Sequence, residues 1–96
     1  MSDQPTNDAS PAGDGLLVHG ATWCGDTKRS RALLDRLGIA YTFIDIDKDE
    51  AAGQWVERHN GGSRSIPVIV IPGGETLTEP GDEDLEKALQ SAGMVS

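Results

Sequence analysis

The chain has a single cysteine, Cys24, in 96 residues. That excludes an internal disulfide and a structural zinc site built from Cys and His clusters. Aromatic residues make up only 4% of the sequence. No apolar run approaches the ~20 residues that a membrane-spanning helix needs. Basic residues are scarce, 8 Lys and Arg against 16 Asp and Glu, for a formal net charge of −8. A surface with that balance repels phosphate backbones and anionic lipid, so neither nucleic acid nor a membrane is expected as partner. The first 15 residues, "MSDQPTNDASPAGDG", lack the basic start and apolar centre of a secretory signal. The expectation is a cytoplasmic protein whose lone thiol stays reduced.

After Met1 those 15 residues hold no large apolar side chain; Asp, Ser, Pro, Gly and Asn dominate. Residues 1–15 read as a disordered acidic tail and residues 16–96 as one folded domain. A domain this small buries only about 60–65% of its unfolded surface, so packing has to supply nearly all the stability.

The folded part alternates strand and helix signals. "LLVHG" at 16–20 is a short apolar run, read as a buried strand. "GDTKRSRALLDRLG" has helical spacing, with Leu33, Leu34 and Leu37 on the face of Ser30, and Gly38 as a left-handed stop. "IAYTFIDID" is β-branched and aromatic, a second strand. In "DKDEAAGQWVERHNGG" Asp47 or Asp49 can cap a helix whose inner face holds Ala52, Trp55, Val56 and His59, ended by Gly61 or Gly62. "SIPVIVIPGG" and "ETLTEP" read as two strands joined by a Gly-Gly turn. "GDEDLEKALQSAG" sets Leu85, Ala88, Leu89 and Ala92 at i, i+3, i+4 and i+7, with acidic residues in the favoured first turn. The order is β-α-β-α-β-β-α. The strand–helix–strand unit requires a right-handed parallel crossover, and the tight turn an antiparallel pair. A four-stranded mixed sheet flanked by three helices satisfies both, an α/β architecture of the thioredoxin-like kind.

Four stretches then resemble the glutaredoxin family: "WCG" between the first strand and helix, "NGGSRSIP", "TLTEP" and "PGDEDL". Within that family the chain is similar to the mycothiol-dependent mycoredoxin type, from about Leu16 to Ala92. The resemblance implies a thiol-disulfide oxidoreductase that reduces mixed disulfides between proteins and a low-molecular-weight thiol, mycothiol or glutathione. It implies no bound cofactor or metal, small thiols and S-thiolated proteins as partners, and a monomer. The departure is at Thr27, where mycoredoxins carry a second cysteine. Iron–sulfur-carrying monothiol members have Cys-Gly-Phe-Ser and a lysine ahead of the cysteine; here the run is "LLVHGATWC". The reading is a monothiol variant. Its rivals are a catalytically silent thioredoxin-fold adaptor and a cluster carrier.

The residues suit thiol chemistry. The thiolate is the nucleophile, so the site must favour negative charge on sulfur. Cys24 falls where a helix opens, and the N–H groups of Asp26 and Thr27 and the helix dipole favour an anion there. The Asp26 carboxylate opposes this and Lys28 and Arg29 counter it. Thr27 cannot resolve a disulfide; its hydroxyl either bonds the Cys24 sulfur or is a small group in the first turn. By the resemblance, Pro67 is the family's cis-proline and Ile66 offers backbone N–H and C=O to the small thiol. Gly81 and Asp82 open the last helix toward the ligand's polar head, and Arg64 meets a ligand carboxylate or is a solvated loop charge. Trp23 faces substrate, and Gly25 and Asp26 complete the loop. Trp55 reads as core. His19 and His59 are not placed as bases for Cys24, and Asp45 and Asp47 read as an exposed strand end.

Overall fold

A computed structural model describes residues 15–95. The tail assigned to 1–15 therefore lies outside the described residues except for Gly15. Seven elements follow in the expected order: β1 (Leu16–Gly20), α1 (Gly25–Arg36), β2 (Tyr41–Asp45), α2 (Glu50–His59), β3 (Val68–Val70), β4 (Thr76–Thr78) and α3 (Asp82–Ser91). The strands form one sheet in the order β2-β1-β3-β4. β1 and β2 are parallel, with Leu16 opposite Tyr41 and Gly20 opposite Asp45. β3 is antiparallel to both β1 and β4.

That topology decides where function sits. β1 and β2 end, and β3 begins, at one edge of the sheet, and β4 ends there too, since Val68 pairs with both His19 and Thr78. The segment after β1, which contains Cys24, opens onto that edge.

Strand alternation sends side chains to two layers. On one face Leu16, Val18, Ile69 and Ile71 pack with Leu33 and Leu34 of α1 and Leu85, Ala88 and Leu89 of α3. On the other, Val68, Ala21, Ile46 and Ile66 pack with Val56 of α2. Each fully buried leucine contributes about 1.5–3 kcal/mol through burial. β1 is central and buried on both faces, as its unbroken apolar run requires, whereas the edge strand β2 is half-buried throughout.

The helix stops follow the sequence. Gly38, Gly61 and Gly62 have φ of 73°, 75° and 118°, conformations that glycine adopts without strain. Asp49 rather than Asp47 caps α2, accepting a hydrogen bond from the Ala52 N–H at 3.0 Å. Strands three and four are shorter than their apolar runs suggest. Pro67 and Pro72 flank β3, and a proline has no N–H to give a ladder.

The inner face of α2 is as expected for Val56, Ala52 and Trp55, the last two half-buried against the second core layer, and Gly53 is buried with them. His59 departs from it and is exposed. Three rings stack from β1 along α2: His19 on Trp55 with centroids 4.6 Å apart, and Trp55 on His59 at 5.3 Å. His19 is 6% exposed and its Nδ1 lies 3.1 Å from the Val68 carbonyl. Burial lowers its pKa below the ordinary 6.5, against smaller raising effects of that carbonyl and of Asp49.

A folded-state pKa below the unfolded one means that the unfolded chain binds the proton more readily. The stability from neutral His19 is present above pH ~6.5 and is lost as pH falls toward the folded value. Urea midpoints measured between pH 7.5 and 5 should therefore fall with pH, and His19→Gln should flatten that dependence. An equal slope in the variant would remove His19 as its source. In the other layer, Leu34→Ala should cost about 2–5 kcal/mol in the same denaturation.

Candidate active site

Cys24 is the N-cap residue of α1, with extended backbone (φ −81°, ψ 122°) and no side-chain capping bond. Its N–H donates to the Ala21 carbonyl at 3.1 Å and its carbonyl accepts from the Lys28 N–H at 3.0 Å. These bonds fix the turn from strand to helix. The side chain is half-buried. Its thiol donates toward the Ile66 carbonyl at an Sγ–O distance of 4.0 Å, so the loop before β3 faces the sulfur. The Ile66–Pro67 bond is cis, as the resemblance implies.

Thr27 does not meet the sulfur. It is fully buried and its Oγ1 accepts from the Ala21 N–H at 3.5 Å, back toward β1. It packs against Gly20, where an added Cβ would lie 2.5 Å from Oγ1 and 2.6 Å from Cγ2. Its role here is to seat the first turn of α1 on the sheet. Among the described residues no hydrogen bond to Sγ comes from the first-turn N–H groups, which as helix-opening donors have no intrahelical acceptor.

Charge beside the thiol is paired. Arg29 donates to Asp26 Oδ1 at 2.9 Å and lies 3.7 Å from Asp82 Oδ1, tying α1 to the start of α3. With side chains nearly half exposed, each such pair contributes at most about 1 kcal/mol. Asp82 Oδ1 is itself buried and has no hydrogen bond among the described residues. Gly81 is the N-cap of α3. A Cβ added at Gly25 or Gly81 would meet no heavy atom within 4 Å, so the backbone there borders open space.

Arg64, two residues before Ile66, is paired with α2. Its Nε donates to Glu57 on α2, and its guanidinium lies where a Cβ on Gly53 would be, 2.7 Å from Nη1. Of the two roles open to it, a loop charge held against α2 is the arrangement observed.

Trp23 is exposed, at 68%, the one large hydrophobic residue so exposed among those described. Its Nε1–H donates to Asp47 Oδ2 at 2.6 Å. Sequence reasoning missed this role of Asp47, reading it as an exposed strand end or a helix cap. The available signal was its position directly after a strand parallel to the one that leads to Trp23. A cleft between β4 and α3, lined by Glu75, Leu77, Asp84, Lys87, Ala88 and Ser91, shares no residue with this arrangement. No group of three or more His, Cys, Asp or Glu among the described residues is placed to hold a metal ion.

Comparison with known proteins bears on what such a site does. A family model described as Glutaredoxin matches residues 16–76. The chain is 38% identical over 66 residues to Mycoredoxin 1 of Corynebacterium glutamicum, covering 68% of this chain and 80% of that one. It is 37% identical over 74 residues to a Mycobacterium tuberculosis protein with a provisional glutaredoxin name, covering 77% and 88%. Among solved structures it is similar to the glutaredoxin of Archaeoglobus fulgidus, with TM-score 0.66, 26% identity, and 88% and 99% of the two chains covered. It is also similar to buckwheat glutaredoxin solved as a glutathione complex, with TM-score 0.63, 26% identity, and 85% and 82% covered.

The fit of Thr27 on Gly20 is testable by a double-mutant cycle. Gly20→Ala should cost about 1–3 kcal/mol by overpacking. Thr27→Ala made alongside it should recover most of that loss, giving a coupling above about 0.5 kcal/mol. Additive costs in denaturant would show that the two residues do not press on each other.

Proposed function

Because the chain belongs to the glutaredoxin family and is a thiol-disulfide oxidoreductase acting with a low-molecular-weight thiol, we propose that it works through Cys24 alone. The carrying observation is the placement of its sole cysteine: half-buried, at the opening of α1, facing the Ile66 carbonyl, with the residue three positions on a buried threonine.

The chemistry has two exchanges. The Cys24 thiolate attacks the small-thiol sulfur of a mixed disulfide between a protein and that thiol. The new bond joins Sγ to the small thiol, the old S–S bond breaks, and the protein leaves as a thiolate that takes up a proton. A second small thiol, as thiolate, then attacks the small-thiol sulfur of the adduct, forming the symmetrical disulfide and freeing Cys24. The sum is one mixed disulfide and one thiol giving one protein thiol and one symmetrical disulfide, so electrons balance without a second cysteine.

Each residue has a part in this reading. The dipole and free N–H groups of α1 stabilise the anionic sulfur, an effect of about 0.3–1 kcal/mol in an open site. The backbone of Ile66, held by cis Pro67, lies alongside the small thiol as a strand would. Gly25 leaves room above the loop, and Gly81 and Asp82, at the opening of α3, face the ligand's polar head. Asp26 is held by Arg29 and Trp23 by Asp47. Arg64 acts through the loop it holds against α2. Thr27 is a packing residue.

Mycothiol is the small thiol that this arrangement suits. Glutathione brings two carboxylates toward Asp26 and Asp82, whose shared cation is Arg29, while Arg64 is occupied by Glu57. A sugar thiol without carboxylates avoids that repulsion, and the similarity to Mycoredoxin 1 points the same way. The activity resides in residues 16–96, acting as a cytoplasmic monomer.

Mass spectrometry after incubation with oxidised mycothiol should show a single adduct on Cys24 that added mycothiol removes. Turnover of a mycothiol mixed disulfide should fall to the uncatalysed background in Cys24→Ser. A wild-type protein that forms no adduct and turns nothing over would be the silent adaptor instead.

A further inference from the structure

We infer that the site is two-sided, and that Asp47 is a positioning residue that fixes Trp23 as the landing surface for the protein half of the mixed disulfide. The inference rests on the single-thiol reading above and adds to it where the leaving protein sits.

Topology supplies the two sides. Cys24 follows β1, which lies between β2 and β3 in the sheet. The loop that faces the sulfur, with Ile66 and cis Pro67, belongs to the β3 flank. Trp23 is tethered the other way, to the turn that leaves β2. A disulfide whose small-thiol half lies along Ile66 therefore has its protein half on the β2 flank, where the indole waits.

The tether is built. The Asp45 carboxylate accepts from the Asp47 N–H at 2.9 Å, and the Asp45 carbonyl accepts from the N–H groups of Lys48 and Asp49 at 3.1 and 3.0 Å. The turn holding Asp47 is thus closed by three hydrogen bonds before Asp47 meets the indole at 2.6 Å. An exposed tryptophan on an open loop would ordinarily sample several rotamers. Bound to Asp47 it presents one orientation, and a partner docking on it loses less conformational freedom. Tryptophan is also the residue type most enriched among binding anchors, because its large apolar ring buries well against a peptide. The short contact to a carboxylate is charge-assisted, stronger than a bond between neutral groups.

The test compares two substrates of the full-length protein: an S-mycothiolated peptide and the mixed disulfide of mycothiol with 2-mercaptoethanol. In Asp47→Ala the KM for the peptide should rise about fivefold more than that for the small disulfide, the loss of one pre-ordered anchor, with kcat retained. Asp47→Asn, which keeps an acceptor oxygen, should restore most of the difference. The indole N–H resonance of Trp23, assigned with Trp23→Phe, should shift strongly in Asp47→Ala and by less in Asp47→Asn, where a neutral acceptor replaces the carboxylate, a readout independent of turnover. Equal KM changes for both substrates, an unmoved indole signal in Asp47→Ala, or an Asn variant that behaves like Ala would each overturn the tether. A wild-type protein that turns over neither substrate would instead bring down the single-thiol reading and this one with it.

Discussion

The seat of Thr27 on Gly20 is the contact on which the rest depends. Gly20 ends the most buried strand, and the threonine side chain occupies the space a Cβ would need. The first turn of α1 is thereby pressed onto the end of β1, and the residue just before that turn is Cys24. A sulfur on a free loop would sample many positions. Here its backbone is bonded on both sides of the cap, to Ala21 and to Lys28, and its distance from Ile66 is set by the packing of two strands. Fold stability and site geometry are coupled through one fit of side chain on backbone.

From that anchor the local electrostatics follow. A chain with twice as many acidic as basic residues must keep negative charge from collecting beside a sulfur that has to become anionic. It does so locally. Arg29 stands between Asp26 and Asp82, and the Asp47 carboxylate is bound to the Trp23 indole. None of these exposed pairs adds much to stability. Their effect is to set the local charge that an approaching ligand meets, where partial neutralisation matters more than net charge.

Much of this was legible from sequence because it rests on short-range rules. Leu85, Ala88 and Leu89 were placed by helical period, Gly38 and the pair Gly61 and Gly62 by the need for a left-handed stop, and the mixed four-stranded sheet by the Gly-Gly turn and the crossover rule. Cys24 was found because it falls between a strand and a helix, flanked by Trp23 and Gly25. What stayed hidden was tertiary. The Trp23–Asp47 bond joins residues 24 positions apart, and no periodicity marks it. Arg64 was left between a ligand carboxylate and a loop charge because its partner, Glu57, lies seven positions back on α2. The two roles left open for Thr27 could not be separated, because only the packing of the first turn on β1 shows where its hydroxyl points. The His19–Trp55–His59 stack crosses two elements, and only the sheet register brings His19 beneath α2.

The identity of residue 27 then has a chemical rather than a packing meaning. The pocket that holds Thr27 is closed and small, and a cysteine has nearly the same volume. The hydrogen bond it would give up, 3.5 Å from Ala21 N, is a long one. The fold would accept either residue at little cost, so packing does not select the threonine. Redox chemistry distinguishes them. A thiol at position 27 competes with the outside thiol for the Cys24 adduct, closing an internal disulfide and expelling the small thiol. With a hydroxyl that branch is absent, and the adduct persists until a second small thiol reaches it. In the single-thiol reading, its lifetime tracks the concentration of reduced small thiol in solution. Exchanging a thiol at this position for a hydroxyl and its neighbouring methyl thus shifts control of the cycle from the protein to its co-substrate.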